Sequence, residues 1–291
     1  MHYLYYPGCS LEGTAKEYDL ATRALMQALA VDLTEIEAWT CCGASAAPGV
    51  SRLLALSLAA RNLALAEQAK TKEDILVPCS ACYLNLKQAA ETLRTDPQAL
   101  QETNEVLSEE GLSVTGAIRV RHLLDVLSTD IGAVAVAKRV TLPLEGLAVA
   151  PYYGCQCLRP YAVFDDPQVP TSMDGLIRAT GAALFPWRMG PRCCGASHMT
   201  THMDQGLQLT GAILSAARDA DVIATVCPMC QINLEGFQQK IAKKTGEAIK
   251  VTVLYLPQLL GLALGIDQHA LGLEFNLSIT SEFMERFGAP A

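Results

Sequence analysis

The residues with the most chemical potential in this 291-residue chain are its eleven cysteines. They fall at positions 9, 41, 42, 79 and 82, and again at 155, 157, 193, 194, 227 and 230. With Cys157 set aside, both groups have one pattern: a lone Cys, an adjacent pair, then C-x2-C. Matching members are 146, 152, 152, 148 and 148 residues apart. Composition alone yields about 0.4 C-x2-C pairs in such a chain, so one motif by itself carries little weight. The flanks decide. Tyr5-Tyr6-Pro7-Gly8-Cys9 aligns with Tyr152-Tyr153-Gly154-Cys155, and Cys41-Cys42-Gly43-Ala44-Ser45 with Cys193-Cys194-Gly195-Ala196-Ser197. Ile75-x3-Cys79-x2-Cys82-x2-Asn85-Leu86 repeats as Ile223-x3-Cys227-x2-Cys230-x2-Asn233-Leu234. Arg121-His122-Leu123-Leu124 agrees loosely with Leu254-Tyr255-Leu256-Pro257. The chain is two copies of one unit.

Thiolates are soft ligands, and the number offered narrows what they hold. A structural zinc ion takes four, usually from two knuckles, and an ordinary cubane cluster also takes four. Each copy here offers five, including an adjacent pair whose side chains diverge in most backbone conformations. A dithiol redox site would use C-x2-C and leave three thiols idle. Five soft donors fit an iron–sulfur assembly with one extra or bridging thiolate; a zinc-stabilised scaffold is the alternative. An odd count with no export signal argues against a disulfide framework.

The elements that must position these thiols alternate. Strands are expected at His2 to Tyr6, Leu33 to Ile36, Ile75 to Val77, Leu147 to Tyr153 and Val222 to Val226. Leu20, Ala21, Ala24, Leu25, Ala28 and Leu29 lie at helical spacing, and Val50 to Ala69 reads as a long apolar helix against a sheet. The acidic stretch from about Thr95 to Glu110 reads as a solvated helix, with a docking surface as the alternative. The fold class is therefore α/β, with a small, mostly parallel sheet flanked by helices in each half and a boundary after Glu145: residues 1–145 and 146–291. Most cysteines then follow a strand and precede a helix, at the carboxyl edge where such folds place ligands. Helix N-termini there favour thiolates, and Gly8, Gly43, Gly154 and Gly195 allow close backbone approach.

Composition excludes other classes. With 51% apolar and 18% charged residues, the chain must bury a core. Its net charge of −8 offers no basic stripe for nucleic acid. The N-terminus lacks a signal-peptide pattern, and the most apolar stretch, Val251 to Ile266, is broken by Pro257 and too short to span a bilayer. A soluble, cytoplasmic protein is expected.

The doubled pattern resembles the tandem cysteine-rich "CCG" domains of the heterodisulfide reductase B-subunit family, over essentially the whole chain. The resemblance implies two pseudo-symmetric Rossmann-like halves, each binding a non-cubane [4Fe-4S] cluster. One cluster would use Cys9, Cys41, Cys42, Cys79 and Cys82; the other Cys155, Cys193, Cys194, Cys227 and Cys230. It further implies reductive cleavage, or formation, of a disulfide held between the clusters. With no G-x-G-x-x-G fingerprint in the chain, electrons would come from the family's ferredoxin-like C-subunit and flavin-containing A-subunit. The start Tyr5-Tyr6-Pro7-Gly8-Cys9 is more similar to bacterial relatives, including sulfur-oxidising heterodisulfide reductase-like complexes whose proposed substrate is lipoate-bound sulfur. The substrate is thus a disulfide, a thiol or lipoate-bound sulfur. A non-catalytic electron relay in a larger redox complex is the competing reading.

Some residues depart from the pattern or stand beside it. Gln156 replaces a His common in methanogen forms. Cys157 is extra at a position expected to be apolar, either a buried neutral thiol or a reactive one. The candidate catalytic set is Cys155, Cys193, Cys194 and His198. His198 and His202, four residues apart, are expected to share a helix face and to offer a proton to a departing thiolate. Arg159, Arg188 and Arg192 flank the second cysteine group, where an anionic substrate tail could use them. Met199, Met203 and Met229 read as core, and the tail from Gly265 as a segment reaching over a neighbour.

Overall fold

The computed structural model describes residues 1–44, 46–69 and 73–287; Ser45, the last residue of the first CCG-Ala-Ser match, lies outside them. The first half contains strands β1 (His2–Tyr5), β2 (Asp32–Glu35), β3 (Ile75–Val77) and β4 (Val120–His122). The second contains β5 (Ala148–Tyr152), β6 (Ala183–Leu184), β7 (Val222–Thr225) and β8 (Thr252–Tyr255). They form two wholly parallel sheets with orders β2-β1-β3-β4 and β6-β5-β7-β8. In each sheet the chain reverses direction beside its first strand, leaving a crevice at the carboxyl ends of β1 and β3, and of β5 and β7. The inner strands β3 and β7, and β8 at the edge, are buried throughout and almost wholly apolar, as parallel strands covered on both faces are.

The helices are α1 (Cys9–Glu12), α2 (Lys16–Ala28), α3 (Arg52–Gln68), α4 (Ser80–Thr95), α5 (Pro97–Leu107), α6 (Leu123–Asp125) and α7 (Gly132–Ala137) in the first half. The second half adds α8 (Asp174–Ala179), α9 (Met203–Ala216), α10 (Pro228–Gly236), α11 (Gln238–Thr245), α12 (Leu256–Ala263) and α13 (Ser281–Phe287). A π-helical stretch, Val126–Ile131, joins α6 to α7. Ser51 and Asp96 cap α3 and α5 by accepting the N–H groups of Leu54 and Ala99. Glu102, Glu105, Glu109 and Glu110 are exposed, so the acidic stretch is a solvated face as expected.

The helical stripe expected on α2 needs correction at two positions. The buried face of α2 is Tyr18, Ala21, Thr22, Leu25 and Met26, while Leu20 and Ala28 are exposed. That face rotates because α2 packs on α12 of the other half as well as on its own sheet. The exchange is reciprocal: α8, which occupies the place of α2 in the second half, packs on α7 and the π-helical stretch of the first. Aromatic rings repeat the symmetry. Tyr18 stacks on Tyr255 with ring centres 4.0 Å apart, and Phe164, matching Tyr18 by position, stacks on His122 at 6.2 Å. The larger core cluster therefore draws residues from both halves, from Tyr3 through Phe283, while a smaller one lies within the second half. The tail from Gly265 folds back on its own chain, its 3-10 turn Leu273–Phe275 packing on α2.

Candidate metal centres

Each cysteine stands where strand gives way to helix. Cys9 opens α1 beyond β1, and Cys79 is the N-cap of α4 beyond β3; Cys227 caps α10 beyond β7 in the same way. None of the N-caps Gly8, Cys79 and Cys227 satisfies the exposed N–H groups with a side-chain oxygen, so the positive helix end is left to the sulfur. All eleven cysteines are free thiols.

The ten repeated thiols converge as two quintets with one internal arrangement. The lone Cys meets the first of the adjacent pair: the Sγ atoms of Cys9 and Cys41 are 3.8 Å apart, and Cys155 is hydrogen-bonded to Cys193. The second of the adjacent pair meets the last of C-x2-C: Cys42 and Cys82 lie 3.4 Å apart, and Cys194 is bonded to Cys230. Cys82 and Cys230 bond in turn to Cys79 and Cys227. The divergence of adjacent side chains is thus what lets Cys41-Cys42 and Cys193-Cys194 each bridge two ends of a quintet.

Within these pairs the thiols titrate apart. Its hydrogen bond with Cys155 draws Cys193 down to about 5 against the cost of burial, helped by the Gly195 N–H and by the charges of His198 and Arg159. The bond with Cys82 draws Cys42 down to about 7, and the bond with Cys230 does the same for Cys227. Burial, then Cys41, pushes Cys9 up to about 11. Every quintet therefore holds a thiolate-prone sulfur before any metal arrives, as a soft-metal site requires.

Backbone and second-layer groups fix the sulfurs. A Cβ at Gly8 would lie 2.9 Å from Cys82 Sγ, and one at Gly154 would lie 3.0 Å from Cys230 Sγ; both glycines also have φ near +70°. The Tyr6 hydroxyl donates to Thr40 O and the Tyr152 hydroxyl to Arg192 O, each carbonyl just ahead of a Cys-Cys pair. This makes Tyr152, not Tyr153, the counterpart of Tyr6, and the register of β1 and β5 against their neighbours agrees. The amide of Asn85 donates to Cys42 O, and that of Asn233 to Cys194 O at 3.2 Å. These four residues were visible in the sequence only as part of the repeat; their hydrogen-bonding roles required the fold.

The two sites are neighbours. The buried Tyr18 hydroxyl reaches Pro78 O at 3.0 Å and Val226 O at 3.2 Å, the carbonyls that precede Cys79 and Cys227. Those oxygens are therefore within about 6 Å of each other, across the axis relating the halves. Ser80 donates to the same Val226 O, and buried His122 lies beside it, its ring nitrogen 3.1 Å from Ser80 Oγ. Cys157 is buried, its thiol donating to Tyr153 O at 3.1 Å; the first half has buried Leu11 there. Its thiol is pushed up by burial and by Cys227, which describes an inert packing sulfur rather than an exposed nucleophile.

Other expected residues fall differently. His198 ends a 3-10 turn and His202 is the N-cap of α9, so they do not share a helix face, although their rings are 6.1 Å apart beside the second quintet. Met199 is buried, but Met203 and Met229 are exposed; Met203 accepts from Lys240 Nζ at 2.9 Å. Among the described residues no group of three or more His, Cys, Asp or Glu side chains stands ready-made round one metal ion. Ten soft donors in two open quintets, lined by glycines that a Cβ would fill, fit a larger iron–sulfur assembly.

A parallel α/β unit with a cysteine quintet at the carboxyl edge, present twice, defines a class of tandem cysteine-rich redox proteins. The family model described as CCG, cysteine-rich domain, matches residues 3–87 and 149–235. The chain belongs to this family, in the group that includes the B-subunit of heterodisulfide reductase. It is 36% identical over 279 residues to the 8-methylmenaquinol:fumarate reductase membrane anchor subunit of Wolinella succinogenes, covering 94% of this chain and 96% of that one. It is 32% identical over 289 residues to the B-subunit of the ferredoxin/F420H2-dependent CoB-CoM heterodisulfide reductase of Methanosarcina acetivorans, covering 96% and 94%. A crystal structure of a hypothetical protein from Helicobacter pylori shares the fold with a TM-score of 0.76 at 16% identity; the match spans 97% of this chain and 52% of that one. The protein is an iron–sulfur redox subunit. Among the described residues no helix is long and apolar enough to cross a membrane.

Proposed function

We propose that this chain is the component of a multi-subunit oxidoreductase that breaks or makes a disulfide, or a related sulfur bond, between two non-cubane [4Fe-4S] clusters. The ligands are Cys9, Cys41, Cys42, Cys79 and Cys82 for one cluster, and Cys155, Cys193, Cys194, Cys227 and Cys230 for the other. The observation that carries this reading is the identical sulfur pairing in two quintets that meet across Tyr18. When bound, each cluster supplies one electron. Reduction of RSSR′ consumes two electrons and two protons and releases two thiols, the electrons coming from a ferredoxin-like or flavin-bearing partner protein. The chain's own groups orient and exclude water: Tyr6, Tyr152, Asn85 and Asn233 hold the ligand loops, and the His198 ring nitrogen beside Cys193 offers a proton to the leaving thiolate. The halves 1–145 and 146–291 each carry one site in this reading.

The Wolinella relative supports a second reading, an electron relay that passes electrons onward within a complex without sulfur chemistry. Anaerobically purified protein should contain about eight irons. Once reduced, its clusters should be reoxidised by a disulfide or by lipoamide with release of two thiols per two electrons. Full iron content without reoxidation by any disulfide would favour the relay, and zinc in place of iron would overturn both. His198→Gln should cut turnover at least tenfold with the clusters intact; unchanged turnover would remove that residue from the mechanism.

A further inference from the structure

The two halves repeat their sulfur but not the polar layer between the sites. Tyr18 and Ser80 donate to the carbonyls that precede Cys79 and Cys227, and His122 stands behind Ser80; all three belong to the first half. Their counterparts in the second half are Phe164, Pro228 and Tyr255. Phe164 and Pro228 have no side-chain donor, and the buried Tyr255 hydroxyl has no hydrogen-bond partner among the described residues. The hold across the axis therefore runs one way.

Ser80 is the most directed of the three. It is the first residue of α4, directly after Cys79, and its hydroxyl donates at 3.1 Å to Val226 O, directly before Cys227. One hydrogen bond thus joins the chain neighbour of a first-quintet thiol to that of a second-quintet thiol. His122 fixes its direction. The Leu124 N–H donates to His122 Nδ1 at 3.1 Å, which leaves the ring proton on Nε2. Nε2 lies 3.1 Å from Ser80 Oγ, so the serine accepts from the ring and gives its own hydrogen to Val226 O. The ring is itself clamped, edge-on to Tyr83 and stacked on Phe164 of the other half. Ser80 and His122 are both buried, so water does not compete for these bonds. The first position of a helix favours proline, and Pro228 fills the matching place in α10. A serine there does nothing for its own helix, since α4 has no side-chain cap.

We propose that Ser80, oriented by His122, is a positioning residue of the second metal centre, acting on the Cys227 turn from the other half of the chain. Groups one layer behind a metal ligand orient it and tune the metal, and losing one typically costs about tenfold or more in metal affinity. A carbonyl oxygen is the negative end of its peptide, so a donor on Val226 O favours an added electron on metal held by Cys227. The two centres then differ in hold and in potential although their sulfurs match. The inference rests on the two-centre reading above for the metal, and on the hydrogen bonds alone for the hold on Cys227.

Two measurements on the full chain test it. In the protein as purified, Ser80→Ala should speed hydrogen exchange about fivefold over the turn from Val226 into α10, in the half that does not carry the substitution. In anaerobically loaded protein, reductive titration followed by EPR should resolve two couples, assigned with Cys9→Ala and Cys155→Ala. Ser80→Ala should lower the second couple, so that its ratio of reduced to oxidised form at a fixed potential falls about threefold or more. Chelator should strip iron from the second centre of the same variant about tenfold more readily. Ser80→Thr, which keeps the hydroxyl, should recover at least part of each change, and His122→Phe should shift the second couple in the same direction as Ser80→Ala. Unchanged exchange with an unchanged second couple, or a shift confined to the first centre, overturns the proposal. Faster exchange in a protein that takes up no iron would leave the hold on Cys227 standing and remove the metal reading; two loaded centres indifferent to Ser80 would do the reverse.

Discussion

Asn85 and Asn233 hold the carbonyls of Cys42 and Cys194, just after the adjacent pair whose side chains must diverge. Replacing Asn85 by alanine leaves the buried Cys42 carbonyl unpaired, at about 1–3 kcal/mol, whereas Cys194 O would keep the Thr210 hydroxyl at 2.8 Å. Asn85→Ala should therefore lower iron content at the first site and leave the second loaded, as read by iron and sulfide analysis of the variant. Glu17 carries a different burden. It is buried on α2 near the carboxylate of Glu235 and the ring of Tyr255, and burial raises its carboxyl from 4.5 to about 7. The folded state then holds a proton that the unfolded chain releases between about pH 4.5 and 7, so stability falls as pH rises through that window. Glu17→Gln should recover on the order of 2 kcal/mol at pH 8 and almost nothing at pH 4, measured by denaturant unfolding at both values. The ten cysteines were legible because soft ligands at repeated spacing have few other uses. Glu17, Tyr18 and His122 were not, because their environment comes from the opposite half of the chain.

At the scale of elements, the strand–turn–helix junction does the positioning, and glycine is its weak point. Gly154 has a φ of +70° and no room for a methyl group beside Cys230 Sγ, whereas Gly246 has a φ of +75° with nothing within 4 Å. Both alanine variants incur the backbone penalty of about 1 kcal/mol. Only Gly154→Ala should also displace a sulfur, so its iron content should fall by at least half while Gly246→Ala stays fully loaded. Equal loading would mean that the sulfur is not held by this approach. The strands and the order of helices were readable from alternation and apolar runs. The burial of α2 was misjudged at Leu20 and Ala28 because a helix that serves two layers does not follow the single stripe of a surface helix. His198 and His202 misled for a related reason: spacing of four implies a shared face only where a helix runs through both.

At the scale of the molecule, the two sheets are separate but the larger of the two core clusters is shared. α2 lies on α12, α8 on α7, and aromatic stacks cross in both directions. Residues 1–145 and 146–291 expressed apart should each expose the apolar face that the other covers, and so aggregate, while co-expression should restore a soluble pair. Two independently soluble, cooperatively melting halves would contradict this. The repeat in the sequence showed two copies of one unit, but nothing in a spacing pattern records which copy a helix packs against.

The crossing of α2 and α12 bears on how the protein is made. α12 ends at Ala263, more than two hundred residues after α2. At about 5–20 residues per second, a ribosome takes roughly ten seconds or more to supply the covering helix. Once Cys82 is made, the nascent first half has all five of its thiols while the helix that covers α2 is still to come, so its site is complete in sequence well before its packing is.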